Sequence, residues 1–340
     1  MGKIYRHDIG LPVRYSNNTV ESSKKHRSSG NKIKQPLLKI NPKRIGFVVK
    51  HHNPEAKSLA VNLATFILGN GYDVLFATES KDIAQEARDQ LIGQTALQKK
   101  IRIVEKPKLV DLTDLILVLG GDGTFVSIAR LMRNRSVPIL GINMGTLGFL
   151  TEIKRTEAFE TVSQLLNGKP AMISERTMIE ITLLRKGKAI LQAPVVNDAV
   201  ISKGAIARII GLQIEVENQI VNTVRADGII VSTPTGSTAY SLAAGGPIVE
   251  PQVPAFILSP ICPHSLTQRP LVLSDDHDIY IRLSERPGHV LLTLDGQDAV
   301  DLQADDVILV RKFQKHRLKI IASPYRGFYS LLHEKLKFGK

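Results

Sequence analysis

The sequence predicts two domains, a doubly wound α/β half followed by an all-β, sandwich-like half. Between Arg44 and Leu166, apolar runs of strand length alternate with stretches of helical spacing, the mark of a parallel sheet. After Ala171 the texture changes to short runs with a period of two, broken by turn residues, which reads as antiparallel β structure. With 340 residues, 43% of them apolar, the chain can fill two cores.

In chain order, residues 1–43 read as a disordered basic tail, with Ser22-Ser-Lys-Lys-His-Arg-Ser-Ser-Gly30 and little apolar periodicity. The α/β domain then spans 44–155. Arg44 to Lys50 is a first strand, Ala56 to Leu68 has helical spacing that Asn70-Gly71 stops, and Tyr72 to Ala77 is a second strand. Residues 82–98 carry a helix-like mix. Leu115 to Leu119 is a fully apolar strand of the kind buried on both faces, and Thr124 to Met132 reads as a helix after it. Val137 to Ile142 is a further strand, Asn143 to Leu150 a glycine-rich connection, and Glu157 to Leu166 a helix ended by Asn167-Gly168. The β domain is placed at 156–310, with strands at 178–184, 193–196, 212–216, 228–231, 278–283, 290–294 and 307–310. Residues 311–340, ending in an aromatic and basic helix from Tyr325 to Phe338, are expected to pack back on the first domain.

The formal net charge of +13 suggests nucleic acid until it is located. Residues 1–44 carry +9 and residues 311–340 carry +8, which leaves the body at −4, so no basic groove crosses it and no nucleic-acid partner is expected. The single Cys262 excludes an internal disulfide, and no apolar run reaches the roughly 18 residues of a membrane span. The N-terminus lacks a signal-peptide core, and Arg6 breaks the myristoylation pattern that Met-Gly would open. A cytoplasmic protein without a membrane partner is the expectation. His51-His52 finds no third ligand at a useful spacing and reads as a polar loop, and no metal-ligating residue is assigned.

Three constellations carry chemistry. Gly120-Gly-Asp-Gly-Thr124 joins the apolar strand to a helix, and the absent Cβ atoms let a ligand approach the backbone and the free N–H groups of the helix start. Asp122, the only charge there, suits a hydroxyl, a metal ion or a proton in transfer, although an Asp-Gly pair is also an ordinary helix cap. Asn197-Asp198 pairs an amide with a carboxylate, a set able to chelate a ribose diol as well as to form an Asx turn. The stretch Arg225 to Pro247, with Ser232-Thr-Pro-Thr-Gly-Ser-Thr-Ala-Tyr240 at its centre, gathers small hydroxyls before a helix start, which suits phosphate or sugar. Leu294-Asp-Gly-Gln297 reads as a hairpin turn with Gln297 free to bond a base or amide. G-x-G-x-x-G, the P-loop pattern and the G-x-S-x-G elbow are all absent.

Together, and in this order, Gly120-Gly-Asp-Gly-Thr124, Asn197-Asp198 and Asp227 to Tyr240 resemble the NAD kinase family, from about Arg44 onward. The resemblance implies a Rossmann-like domain of diacylglycerol/NAD kinase type, a β-sandwich domain and a site between them. It further implies phosphoryl transfer from ATP to the 2′-hydroxyl of the adenosine ribose of NAD, Mg²⁺ as the divalent cofactor, and a homo-oligomer. By the same resemblance Asp122 is the proton acceptor, with Gly123 beside it. Asn197 and Asp198 are the ribose pair, Asp198 standing where many members have Glu, and Asp227 lies near the nicotinamide end. Thr238, Ala239, Tyr240, Ser241, Leu242 and Ala243 line the dinucleotide pocket, Arg208 and Arg225 fall at variable positions, and Gln297 is a further contact. Some members have Gly in place of Arg225, including ones that use polyphosphate, so Arg225 leans the donor toward a nucleoside triphosphate. Two alternatives share parts of this pattern: a lipid kinase with the same glycine turn, and a regulatory NAD-binding protein without catalysis.

Overall fold

A computed structural model describes residues 36–204, 209–284 and 288–337. Its first half runs β1 (Leu37–Leu38), β2 (Arg44–Val49), α1 (Pro54–Gly69), β3 (Asp73–Ala77), α2 (Lys81–Asp89), α3 (Thr95–Gln98), β4 (Ile101–Val104), α4 (Lys106–Leu112), β5 (Leu115–Gly120), α5 (Asp122–Ala129), β6 (Ile139–Asn143), β7 (Ile153–Lys154), α6 (Ala158–Leu166) and β8 (Ala171–Arg176). Strands β4, β3, β2, β5 and β6 lie side by side in that order and all parallel. The alternation of side chains decides which helices cover which face. Ile45, Phe47 and Val49 pack with α1, α2 and α6, while Val48 and Leu75 pack with α4 and α5. The chain winds outward from β2 to β3 on one side and from β5 to β6 on the other, so the β2/β5 boundary is the topological switch point. In open α/β sheets that is where a ligand crevice opens, at the carboxyl ends of the strands.

The second half runs β9 (Ile179–Arg185), β10 (Lys188–Val195), β11 (Asp198–Lys203), β12 (Ile210–Val216), β13 (Gln219–Ala226), β14 (Gly228–Ser232), α7 (Tyr240–Ala243), β15 (Ala255–Ile261), β16 (Leu271–Ser274), β17 (Ile279–Leu283), β18 (Val290–Leu294), β19 (Asp298–Asp301) and β20 (Val307–Lys312). It forms two six-stranded antiparallel sheets, β10-β9-β20-β17-β12-β13 and β16-β15-β14-β11-β18-β19. Period-two burial in β9, β17 and β18 turns Ile179, Ile181, Ile279, Ile281, Val290 and Leu292 into one core between the sheets. Strands β11, β13, β15, β16 and β19 lie between the runs that the period-two pattern marks, so the sandwich holds more strands than the sequence reading gives.

After β20 the chain returns to the first domain with β21 (Leu318–Ile321) and α8 (Phe328–Leu336). Strand β21 pairs parallel with β6 and antiparallel with β8, and β8 in turn pairs antiparallel with β1. Two chain crossings therefore join the domains, one at Thr177–Met178 and one after Lys312. They are tied together by Phe313 N–H donating to Met178 O at 2.9 Å.

Several sequence boundaries shift. Residues 36–43 carry β1 and the buried Ile40, so order begins earlier than Arg44. The sandwich begins near Met178 rather than at 156, because α6 buries Ala158, Val162 and Leu165 in the α/β core and β8 completes the first sheet. The helix expected at 82–98 is split into α2 and α3 near Gly93, whose φ of +84° breaks helical geometry.

Candidate active site

At the carboxyl end of β5, Gly121 is the residue before α5 and Asp122 is the first residue within it. Asp122 does not cap its own helix. Its carboxylate reaches instead to the turn that follows β6. Oδ1 accepts from Leu150 N–H (3.1 Å), Thr151 N–H (3.1 Å) and the Thr151 hydroxyl (3.0 Å), and Oδ2 accepts from Phe149 N–H (2.8 Å). Gly148 is required at this point, because a Cβ there would overlap the Asp122 carboxylate. The N–H groups at the start of α5 are thus left to a ligand. Cβ atoms at Gly121 and Gly123 would meet nothing within 4 Å, so both positions lie open.

Glu152 and Arg176 are buried next to this turn, their closest atoms 3.7 Å apart. Burial pushes the Glu152 carboxyl up and the Arg176 guanidinium down, and the nearby Asp122 charge raises Glu152 further. From the other side α8 seats Leu331 and Leu332 against Leu147, Phe149 and Ile248.

The sandwich supplies Asn197 and Asp198 at the start of β11. Asp295, at the β18–β19 turn with φ +51°, holds their backbone: its Oδ1 accepts from Asn197 N–H at 2.7 Å and its Oδ2 from Val196 N–H at 3.0 Å. On the other flank Thr233 Oγ1 donates to Val196 O at 2.6 Å, and Gly236 packs so tightly on Asn197 that any Cβ would collide with its carbonyl. The backbone of the pair is fixed, yet among the described residues no donor bonds the Asp198 carboxyl. Burial first, and then the neighbouring Asp295, push that carboxyl up from the usual 3.8 to about 7. Burial pushes the Asp295 carboxyl up as well, while the backbone N–H groups of Val196, Asn197 and Asp198 and the field of Arg130 oppose that rise. Arg130, at the end of α5, is ion-paired with Asp298, and Phe125 and Val126 share a core with Val196, so α5 is braced directly against this part of the sandwich.

The other expected residues divide. Gln297 is exposed on the same turn as Asp295. Thr238, Ala239 and Leu242 are half-buried, and Tyr240 and Ala243 are exposed, around α7. Ser241 is buried with its hydroxyl 2.9 Å from that of Ser259. Ser232, Thr233 and Ser237 are likewise buried and bonded internally, so the hydroxyl run shapes the backbone more than it offers donors. Asp227 and Arg225 stand apart. Asp198 pairs with Ser232 at one end of β14, and Asp227 precedes Gly228 at the other, roughly 16 Å away at 3.3 Å per residue. There Asp227 is paired with Lys203 at 2.8 Å. Arg208 lies outside the described residues.

At the switch point a cavity of about 290 Å³ is lined by Lys50, His51, Glu79, Lys106, Gly123, Thr124 and Ser127. Lys106 donates to the Ser127 hydroxyl at 2.8 Å, and burial pushes its ammonium below the usual lysine range. His51, expected in a plain polar loop, is part of this wall. Among the described residues no group of three or more His, Cys, Asp or Glu side chains is arranged to hold a metal ion. Sequence reasoning missed Asp295, Gly148, Lys106 and Lys335. The Asp-Gly pair at 295–296 and the glycines of 143–150 were visible signals read only as turns.

A glycine-turn carboxylate on a doubly wound sheet, joined through α5 to an Asn-Asp pair of braced backbone on a β-sandwich, fits a two-domain nucleotide phosphotransferase. Family models described as the ATP-NAD kinase N-terminal and C-terminal domains match residues 45–170 and 196–323. The NAD kinase of Syntrophotalea carbinolica is 41% identical over 298 residues, covering 88% of this chain and 99% of the relative. The NAD kinase of Bdellovibrio bacteriovorus is 40% identical over 296 residues, covering 87% of this chain and 92% of the relative. Among solved structures, yeast NADH kinase complexed with NADH has a TM-score of 0.79 at 27% identity, covering 89% of each chain. An Archaeoglobus fulgidus NAD kinase, at 21% identity and a TM-score of 0.60, shares the fold, covering 86% of this chain and 98% of that one. The chain belongs to the NAD kinase family.

Proposed function

We propose that this chain phosphorylates the 2′-hydroxyl of the adenosine ribose of NAD with ATP, giving NADP, with Asp122 as proton acceptor. The observation that carries the assignment of roles is the state of the two carboxyls. Asp198 sits on a locked backbone with no internal partner, as a ribose-diol ligand requires, and Asp122 keeps one oxygen, Oδ2, with a single hydrogen bond. A carboxylate oxygen has two lone pairs, so Oδ2 can accept the proton of a hydroxyl as the oxygen attacks phosphorus.

The donor triphosphate fits the switch-point cavity, where Lys50, Lys106 and the open backbone at Gly123 offer cationic and N–H donors. Mg²⁺ is consistent with this wall, because kinases hold it mainly through the nucleotide phosphates with one or two carboxylates, and Glu79 is the carboxylate lining the cavity. When bound it neutralises charge on the phosphate oxygens. Alignment by Asn197, Asp198 and the segment around α7 supplies most of the remaining catalysis. Asp227 and Arg225, remote from Asp198 within one chain, fit a homo-oligomer in which one copy completes the dinucleotide site of another. No described helix is long and apolar enough to cross a membrane.

The test is direct. Purified protein with ATP, Mg²⁺ and NAD should form NADP, read with an NADP-specific dehydrogenase, and should phosphorylate adenosine or a diacylglycerol far less. Remote binding energy used in the transition state predicts that truncation lowers turnover as well as affinity. Phosphorylated lipid and no NADP would reverse the assignment, and tight NAD binding without turnover would favour a regulatory protein.

A further inference from the structure

The C-terminal helix α8 delivers a cation to Asp122. Lys335 is on the last turn of α8, with a side chain 26% exposed, and its Nζ lies 3.9 Å from Asp122 Oδ2. The stem is set by Phe149, whose ring centroid is 4.7 Å from the ammonium, a cation–π contact that fixes direction without using an N–H donor on a charged partner. At 3.9 Å the ammonium does not hydrogen-bond the carboxylate. Among the described residues Nζ donates no hydrogen bond. Its neighbour Glu334 turns away to Lys154, at 3.6 Å.

The geometry of the carboxylate makes this position informative. Oδ1 already accepts three hydrogen bonds and is saturated, whereas Oδ2 accepts one. The vacant lone pair and the ammonium, which donates no hydrogen bond among the described residues, therefore belong to the same corner of the site. A hydroxyl that donates to Oδ2 places its oxygen within a few ångströms of Nζ, and the phosphorus it attacks comes next to both.

We infer that Lys335 is a catalytic residue that binds a non-bridging oxygen of the phosphoryl group during transfer. The inference rests on the phosphotransferase reading given above. In the step, the ribose oxygen forms a bond to the γ-phosphorus and the bond from that phosphorus to the β,γ-bridging oxygen breaks. The electron pair leaves on the nucleoside diphosphate, and the hydroxyl proton goes to Asp122 Oδ2. Lys335 stays protonated throughout and supplies fixed positive charge where three equatorial oxygens share the developing negative charge.

The test uses the full chain and Lys335→Met, which keeps the stem over Phe149 and removes the charge. With NAD, ATP and Mg²⁺, kcat should fall roughly 100-fold, the scale of losing one preorganised donor, while KM for NAD stays within about threefold. Lys335→Arg should restore kcat to within about tenfold of the unaltered chain. Should the Met variant fail to fold, Lys335→Gln takes its place with the same expectation. A kcat within about threefold of the unaltered chain overturns the inference. So does a joint loss of kcat and NAD affinity that Arg does not rescue, which would make Lys335 a structural strut. Absence of NADP formation by the unaltered chain would strike the function proposed above, and is thereby told apart.

Discussion

Asp198→Asn should make the protein more stable at alkaline pH while weakening its grip on NAD. The Asp198 carboxyl is raised from 3.8 to about 7 by burial and by Asp295. The sign follows from proton counting. Between about pH 4 and pH 7 the folded chain keeps a proton that the unfolded chain has lost, so stability falls as pH rises through that window and levels off above it. A span of roughly three pK units at about 1.36 kcal/mol each gives up to about 4 kcal/mol. An amide of the same shape carries no charge at any pH, so this part of the decline vanishes. Urea unfolding of both proteins at about pH 5 and about pH 8.5 reads the effect. Asp198→Asn should be more stable by about 1.6 kcal/mol at the lower pH, where the unfolded chain has already lost the proton, and by up to about 4 kcal/mol at the higher one. Glu152 and Asp295, also raised, tilt both proteins in the same direction, so the difference between the curves reports position 198 together with its coupling to Asp295. Parallel pH profiles for the two proteins would refute the buried-proton argument. In kinetics, loss of one ribose acceptor should raise KM for NAD by roughly 1–3 kcal/mol in binding.

Three further outcomes are expected. Asp122→Asn should lower kcat by about 10²–10⁴-fold with modest change in NAD affinity, and, because an amide accepts through one oxygen only, it should also lower the unfolding midpoint; near-normal turnover would remove the proton-acceptor role. Gly148→Ala should cost most of the activity, since its methyl group and the Asp122 carboxylate cannot occupy the same space, and a crystal structure or an activity assay showing tolerance would mean that the turn relaxes freely. Removing residues 1–35 should leave NADP formation intact, whereas cutting to residue 43 also removes β1 and buried Ile40 and should lower thermal stability; equal melting of both truncations would contradict a structural role for 36–43.

Periodicity made much of the architecture legible, because the sandwich buries alternating faces against one core and the parallel sheet buries both of its faces under helices. It failed where a strand is built from residues that advertise turns. Strand β11 opens on Asp198 directly after Asn197, a pair that reads as an Asx turn, and only pairing with β14 and β18 reveals it as central. Strand β21 is four residues long and was folded into a longer C-terminal segment. In the site, the glycine turn and the Asn197-Asp198 pair were visible as motifs because the residues of each are adjacent in sequence. Asp295 and Lys335 were not, since each acts on a residue more than ninety positions away and carries no motif of its own. Asp227, which the resemblance gives as a contact near the nicotinamide end, lies at the far end of β14 from Asp198 and is paired with Lys203.

The return of the chain to its first sheet has a consequence for biosynthesis. Strand β8 reaches the parallel sheet only through β21, and β1 reaches it only through β8. During vectorial synthesis the N-terminal domain cannot close its own sheet until residue 321 has left the ribosome, although domains generally fold in order of emergence. The sandwich, whose strands are contiguous in the chain, is complete earlier. The nascent protein thus carries an unfinished sheet edge at β6 while the later domain is already closed, an interval in which a chaperone has something to cover. A chain terminated before residue 318 lacks both β21 and Lys335.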